Sequence, residues 1–138
     1  MSIEGVLETC LYADDLDAAE RFYAGVLGLT VDSRAPERHL FLRCGAAMLL
    51  VFDPARTASA PGQVGGTPVP AHGAHGPGHV CFRIPPDELP QWREHLGRVG
   101  IAIEAEIAWP RGGASLYVRD PAGNSVELAP SSIWGFAD

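Results

Sequence analysis

Residues 111–128 read RGGASLYVRDPAGNSVEL, and this stretch predicts two strands around a turn. In Asp120-Pro121-Ala122-Gly123-Asn124, proline pre-sets its own φ while glycine and asparagine tolerate positive φ, so the chain reverses there. Side chains alternate along a strand, which puts Ser115, Tyr117 and Arg119 on one face and Ser125 with Glu127 on one face of the return. Glu127 stands between Val126 and Leu128. A carboxylate in that setting is either an edge residue facing water or a ligand, and by itself the alternation favours water.

Upstream of this hairpin, residues 101–107 predict another strand, and residues 88–99 a helix with Leu89, Trp92, Leu96 and Val99 on its apolar stripe. Pro90 falls in the first turn, where a missing N–H costs nothing, and Gly100 stops the helix. Trp92 is expected in the core. Residues 79–84, HVCFRI, alternate as a strand, with His79, Cys81 and Arg83 on one face and Val80, Phe82 and Ile84 on the other.

The first half repeats this order. Residues 6–13 alternate with Glu8, Cys10 and Tyr12 opposite Leu7, Leu11 and Ala13. Asp14-Asp15 offers an N-cap for a helix over residues 16–27 that carries Leu16, Ala19, Tyr23, Val26 and Leu27 and ends at Gly28. Residues 29–32 and 40–43 predict short strands, and residues 47–52, AMLLVF, a more buried one. Residues 53–78 change to Ala, Gly, Pro and Thr, the composition of a linker or lid. His72 and His75 form an H-x-x-H there, which the Gly-rich setting assigns to solvent or lid contacts rather than metal.

With 138 residues the chain suits one domain or two small halves fused across a shared interior. A net charge of -7 excludes unaided binding to nucleic acid or an anionic membrane. No apolar run approaches membrane-spanning length and the N-terminus has no basic segment before an apolar one, so a cytoplasmic location is expected. Cys10, Cys44 and Cys81 are odd in number and lack C-x-x-C spacing, which reads as reduced thiols.

Laid over one another, Glu8-Thr9-Cys10-Leu11-Tyr12 and His79-Val80-Cys81-Phe82-Arg83 each precede one helix, a glycine stop and about three strands. The expected fold is therefore α+β: two βαβββ modules, residues 3–54 and 78–138, forming a curved, cup-like mixed sheet, joined by residues 55–77. Residues facing away from the helices then face a cavity, which places Glu8, Cys10, His79, Cys81, Arg83 and Glu127 within reach of one another.

In LETCLYADDLDAAERFYAGVLGL, GPGHVCFRI and RGGASLYVRDPAGNSVEL the chain resembles the vicinal oxygen chelate superfamily, the group of glyoxalase I, bleomycin resistance proteins and extradiol dioxygenases. The resemblance covers nearly everything outside the linker. It implies a divalent metal held by Glu8, His79 and Glu127, and a reaction of lyase, isomerase, transferase or dioxygenase type on a small oxygen-bearing molecule. One imidazole with two carboxylates is more oxygen-rich than the two-histidine, one-carboxylate triad of iron oxygenases, which leaves Mn, Zn, Ni, Co or Mg ahead of Fe. Glyoxalase I carries a further glutamate late in its first module, where this chain has Met48-Leu49-Leu50; glyoxalase activity is thereby a minor expectation.

Fosfomycin-modifying transferases of the superfamily set a serine and a tyrosine against substrate, and Ser115 and Tyr117 match that local pattern. Glu8 or Glu127 would move a proton, Tyr117 would donate to a developing anion, and Arg83, Arg111, Ser115, Tyr117 and Trp109 are the candidate substrate contacts. The rival expectation is a metal-free module that sequesters a drug, as bleomycin-resistance proteins do, with the acidic balance drawing a cationic compound. A homodimer is expected on either account, because small members of the superfamily often complete the cup across a two-fold axis and the apolar tail around Trp134 calls for cover.

Overall fold

The structure, a computed structural model, describes residues 1–59 and 62–137. Two residues of the expected linker, 60 and 61, and the last residue of the tail lie outside it. The described chain divides into two compact units, Met1–Gly76 and Pro77–Asp138, each built on one mixed four-stranded sheet.

In the first unit β1 (Glu8–Tyr12), β2 (Thr30–Ala35), β3 (His39–Cys44) and β4 (Ala47–Phe52) take the order β1-β4-β3-β2, with β1 parallel to β4 and the other pairs antiparallel. Asp15 caps α1 (Leu16–Glu20) by accepting the Ala18 amide at 2.8 Å. The helix then continues as a π-helical stretch, Arg21–Val26, and Gly28 ends it at φ 77°. The extra residue per turn brings Phe22 inward beside Tyr23, and both are buried. With Leu16 and Ala19 they cover the face of Leu11, Leu40, Leu42, Leu49 and Val51, all at most 5% exposed. Each such leucine, fully buried, contributes about 1.5–3 kcal/mol.

The segment expected to be a linker or a lid carries short elements. Asp53 accepts the Ala55 amide at 2.9 Å and Pro54 opens α2 (Pro54–Ser59). Gly65 and Gly66, at φ 58° and 83°, turn the hairpin of β5 (Gln63–Val64) and β6 (Thr67–Pro68). These elements are too short to carry a hydrophobic period; residues 53–59 and 62–76 form a flap on the first unit.

In the second unit β7 (His79–Arg83), β8 (Ala105–Ala108), β9 (Ala114–Arg119) and β10 (Ser125–Ala129) repeat the pattern as β7-β10-β9-β8, with β7 parallel to β10. A 3-10 turn at Pro86–Glu88 leads into α3 (Leu89–Arg98), which packs against β9. Of the expected stripe only Leu96 is buried. Trp92 is a correction: it is half-buried, edge-on to His95 at 5.7 Å, rather than core. The strand expected over residues 101–107 starts at Ala105, though Glu104 already donates its amide to the Tyr117 carbonyl at 2.8 Å.

The turn quoted first closes as expected, by a different division of labour. Gly123 alone takes positive φ, at 86°. Asn124 contributes its side chain, donating to Asp120 Oδ2 at 2.8 Å and accepting the Gly78 amide at 2.7 Å.

Candidate functional site

Register decides what shares the face of the second sheet away from α3. Ser125 pairs with His79 and Arg119, Glu127 with Cys81 and Tyr117, and Ala129 with Arg83. Glu127 is 4% exposed, so the alternation that favoured water was misleading: a central strand has neighbours on both sides, and no edge is left for its carboxylate.

His79 and Glu127 come together. His79 Nε2 lies 3.5 Å from Glu127 Oε2. The other ring nitrogen, Nδ1, is 3.1 Å from the Ser125 carbonyl oxygen; a carbonyl only accepts, so Nδ1 carries a proton and donates there, which turns Nε2 toward the carboxylate. The second carboxylate oxygen, Oε1, is buried with no hydrogen-bond partner, a costly state for a charged group in a sheet face. A cation held beside Nε2 and the carboxylate would give the unpartnered oxygen a partner, and the ring orientation is the one in which a metal-binding histidine is held by a backbone carbonyl. The donor set fits a divalent ion.

Around this pair, Tyr117 stacks on His79 with ring centroids 6.3 Å apart. Burial, followed by its hydrogen bond to Glu127, raises the Tyr117 phenol above its ordinary value. Burial also pushes the Cys81 thiol up to about 12, with the Glu127 charge adding to it, so this cysteine is a thiol and no nucleophile at neutral pH. The His79 side chain is half exposed, which leaves the pair open to solvent.

Glu8 belongs to the first unit, exposed at the start of β1. Among the described residues no group of three His, Cys, Asp or Glu side chains is placed to hold a metal ion. Of the candidate substrate contacts, Ser115 is fully buried and accepts the Trp109 indole N–H at 2.8 Å, an arrangement that turns its hydroxyl inward. Trp109 itself is half-buried, and Arg83 and Arg111 are exposed. His75 is exposed and His72 half-buried, Nδ1 2.8 Å from the Tyr12 hydroxyl.

Sequence reasoning set Glu8 and Cys10 on the corresponding face of the first sheet but passed over the rings beside them. There Cys10 pairs with Leu50 and Leu50 with Phe41, while Tyr12 pairs with Phe52 and Phe52 with His39. His39, Phe41 and Phe52 form a ring cluster whose signal was available in the alternation of HLFLRC and AMLLVF.

Residues 5–128 match the Glyoxalase/Bleomycin resistance protein/Dioxygenase superfamily. The crystal structure of lactoylglutathione lyase from Agrobacterium tumefaciens is 43% identical, with a TM-score of 0.91 over 99% of this chain and 100% of that one. A glyoxalase/bleomycin resistance protein/dioxygenase from Nocardioides is 24% identical, TM-score 0.69, over 94% and 85% of the two chains. Fosfomycin resistance protein FosX from Mesorhizobium loti is 20% identical, TM-score 0.63, over 94% of each. The last two share the fold alone. No curated protein matched.

Proposed function

This chain belongs to the Glyoxalase/Bleomycin resistance protein/Dioxygenase superfamily, and from that premise we propose that it is a divalent-metal-dependent enzyme acting on a small oxygen-bearing molecule. One observation carries the proposal: the buried, half-satisfied carboxylate of Glu127 facing Nε2 of a His79 ring held by the Ser125 carbonyl. His79 and Glu127 would hold the ion, and Glu8 is the third ligand that the family resemblance implies. When bound, the ion supplies Lewis-acid polarisation of a substrate oxygen.

The chain's own groups do the rest. The Ser125 carbonyl fixes the His79 ring. Tyr117, its phenol kept protonated well past neutrality, donates to negative charge developing on the substrate oxygen. Glu8 accepts and returns a proton, and Arg83 or Arg111 takes an anionic group of the substrate. A homodimer completes this reading: Trp134 and Phe136 are 66% and 71% exposed, and a twofold mass in light scattering at micromolar concentration is expected.

A second reading, lactoylglutathione lyase itself, is favoured by the 43% identity to a protein of that name. The donor chemistry of the first sheet weighs against it. Leu50 occupies the position of Glu127 there, and Met48, paired with Glu8, offers only a thioether.

The test strips the protein of metal and titrates Mn, Zn, Ni, Co, Fe and Mg singly by calorimetry. At least one ion binds wild type tightly, and His79→Ala and Glu127→Leu bind it about 100-fold more weakly or worse. Saturating ion raises the unfolding midpoint of wild type and leaves that of Glu127→Leu unchanged. Wild type and both variants binding every ion equally weakly would end the proposal and favour metal-free sequestration.

A further inference from the structure

The flap of the first unit and the sheet beneath it line a half-open cavity. His39, Phe41 and Phe52 supply its floor from the sheet, and Val64, Val69 and His72 its cover from the flap. The cavity is about 270 Å³, and a 150 Å³ apolar cavity already accepts benzene, so one substituted ring has room. Its rings are set in alternating attitudes. His39 stacks on Phe41 with centroids 4.1 Å apart, Phe52 meets Phe41 edge-on at 5.3 Å and 75°, and His72 meets Phe52 edge-on at 4.8 Å and 77°. Such a box presents both faces and edges, and a flat guest ring gains offset or edge contacts that an aliphatic ring does not.

The charge of the lining selects among flat guests. Arg38 is the one permanently charged side chain that lines the cavity among the described residues, and no carboxylate lines it. Burial, then the Arg38 charge, holds the His39 imidazole below its ordinary value, so the permanent positive charge of the lining is that of Arg38. We propose that this cavity is a binding site for a small aromatic carboxylate, its ring in the box and its anionic group toward Arg38. Glu8 lies four residues back along β1 from Tyr12, about 13 Å by strand rise, and the proposal does not depend on the metal reading.

Calorimetry on the full metal-free chain tests it with benzoate, cyclohexanecarboxylate and benzyltrimethylammonium as probes. Benzoate binds at one per chain, cyclohexanecarboxylate about fivefold more weakly and the cation at least about tenfold more weakly. Val69→Trp fills the cavity from an exposed flap position that leaves the sheet core untouched, and it abolishes benzoate binding. Phe52→Ala, which removes one wall, does the same. Arg38→Gln erases the preference for the anion. Glu127→Gln, in the other unit, binds benzoate as wild type does, so failure of the metal site and failure of this site are read separately. No saturable benzoate binding, unchanged binding in Val69→Trp, loss in Glu127→Gln, or a cation bound as tightly as benzoate would each overturn the proposal.

Discussion

At corresponding points of the two βαβββ modules, Leu50 stands in the first where Glu127 stands in the second. Each is the residue that pairs with the cysteine of the parallel neighbour strand, Cys10 in one sheet and Cys81 in the other, and each is buried, at 8% and 4% exposure. The backbone treats the two sites alike. Their side chains divide the labour: the second sheet carries an imidazole and a carboxylate in contact, the first a set of packed rings under a flap. Duplicated topology therefore provides two equivalent platforms, and chemistry is set by which pairs of inward positions receive polar atoms.

Exchanging the distinguishing residue breaks this contrast most forcefully. Leu50→Glu buries a carboxylate with no counter-charge supplied by its own sheet, and is expected to cost about 3 kcal/mol or more in urea unfolding of metal-free protein. Recovery of that loss on adding a divalent ion would show that the first sheet holds an ion once it carries a carboxylate; no loss at all would mean that the two positions are not equivalent in burial.

The turns that connect the paired strands differ in a similar way. The β3–β4 turn of the first sheet reverses at Gly45, φ 58°, followed by the exposed Ala46. The β9–β10 turn of the second is built on buried Asp120 and Asn124, and Asn124 also holds Gly78, the residue before His79. Asn124→Ala removes buried hydrogen bonds and is expected to lower stability by about 2 kcal/mol and loosen the start of β7. Ala46→Ser is expected to leave the unfolding midpoint where it is. Equal effects of the two would remove the distinction between a backbone-made and a side-chain-made turn.

The smallest effect belongs to the sheet edges. Arg119 donates to Glu104 at 2.5 Å across the second sheet, as Arg43 meets Asp32 at 2.5 Å across the first. The Arg119 hydrogen bond holds the Glu104 carboxyl below its ordinary 4.5. A carboxyl with a lowered folded value stabilises above its unfolded value and loses that contribution as pH falls through the folded one. Wild type should thus lose slightly more stability than Arg119→Gln when urea midpoints are compared at neutral pH and below about pH 4.5, an effect small enough at this exposure for salt to erase. A larger acid sensitivity in the variant would reverse the assignment.

How much of this was legible in the residues follows from what sets each feature. Strand alternation in HVCFRI, the apolar run AMLLVF, the Asp15 cap and the glycines at 28 and 100 are local, and each does in the structure what its type dictates. The flap was opaque because α2 and the β5–β6 hairpin are six and two residues long, too short for periodicity, although Asp-Pro before a helix and Gly-Gly in a hairpin were there to be read. The π-helical stretch hid Phe22 from a count at 3.6 residues per turn. Burial of Glu127 and the openness of Trp92 are tertiary facts: the first needs strands on both sides of β10, the second a helix whose stripe finds only part of a partner. The His79–Glu127 contact joins residues 48 apart in sequence, and it was the internal repeat, with the family resemblance, that pointed to it.

The tether of the imidazole has an evolutionary corollary. Because His79 is steered by the carbonyl at position 125 and not by the serine side chain there, any residue that keeps the strand can stand at 125 and the ring keeps its attitude. The orientation is inherited with the sheet, so descendants of this chain are free to vary that position to reshape the surroundings while the nitrogen goes on pointing the same way.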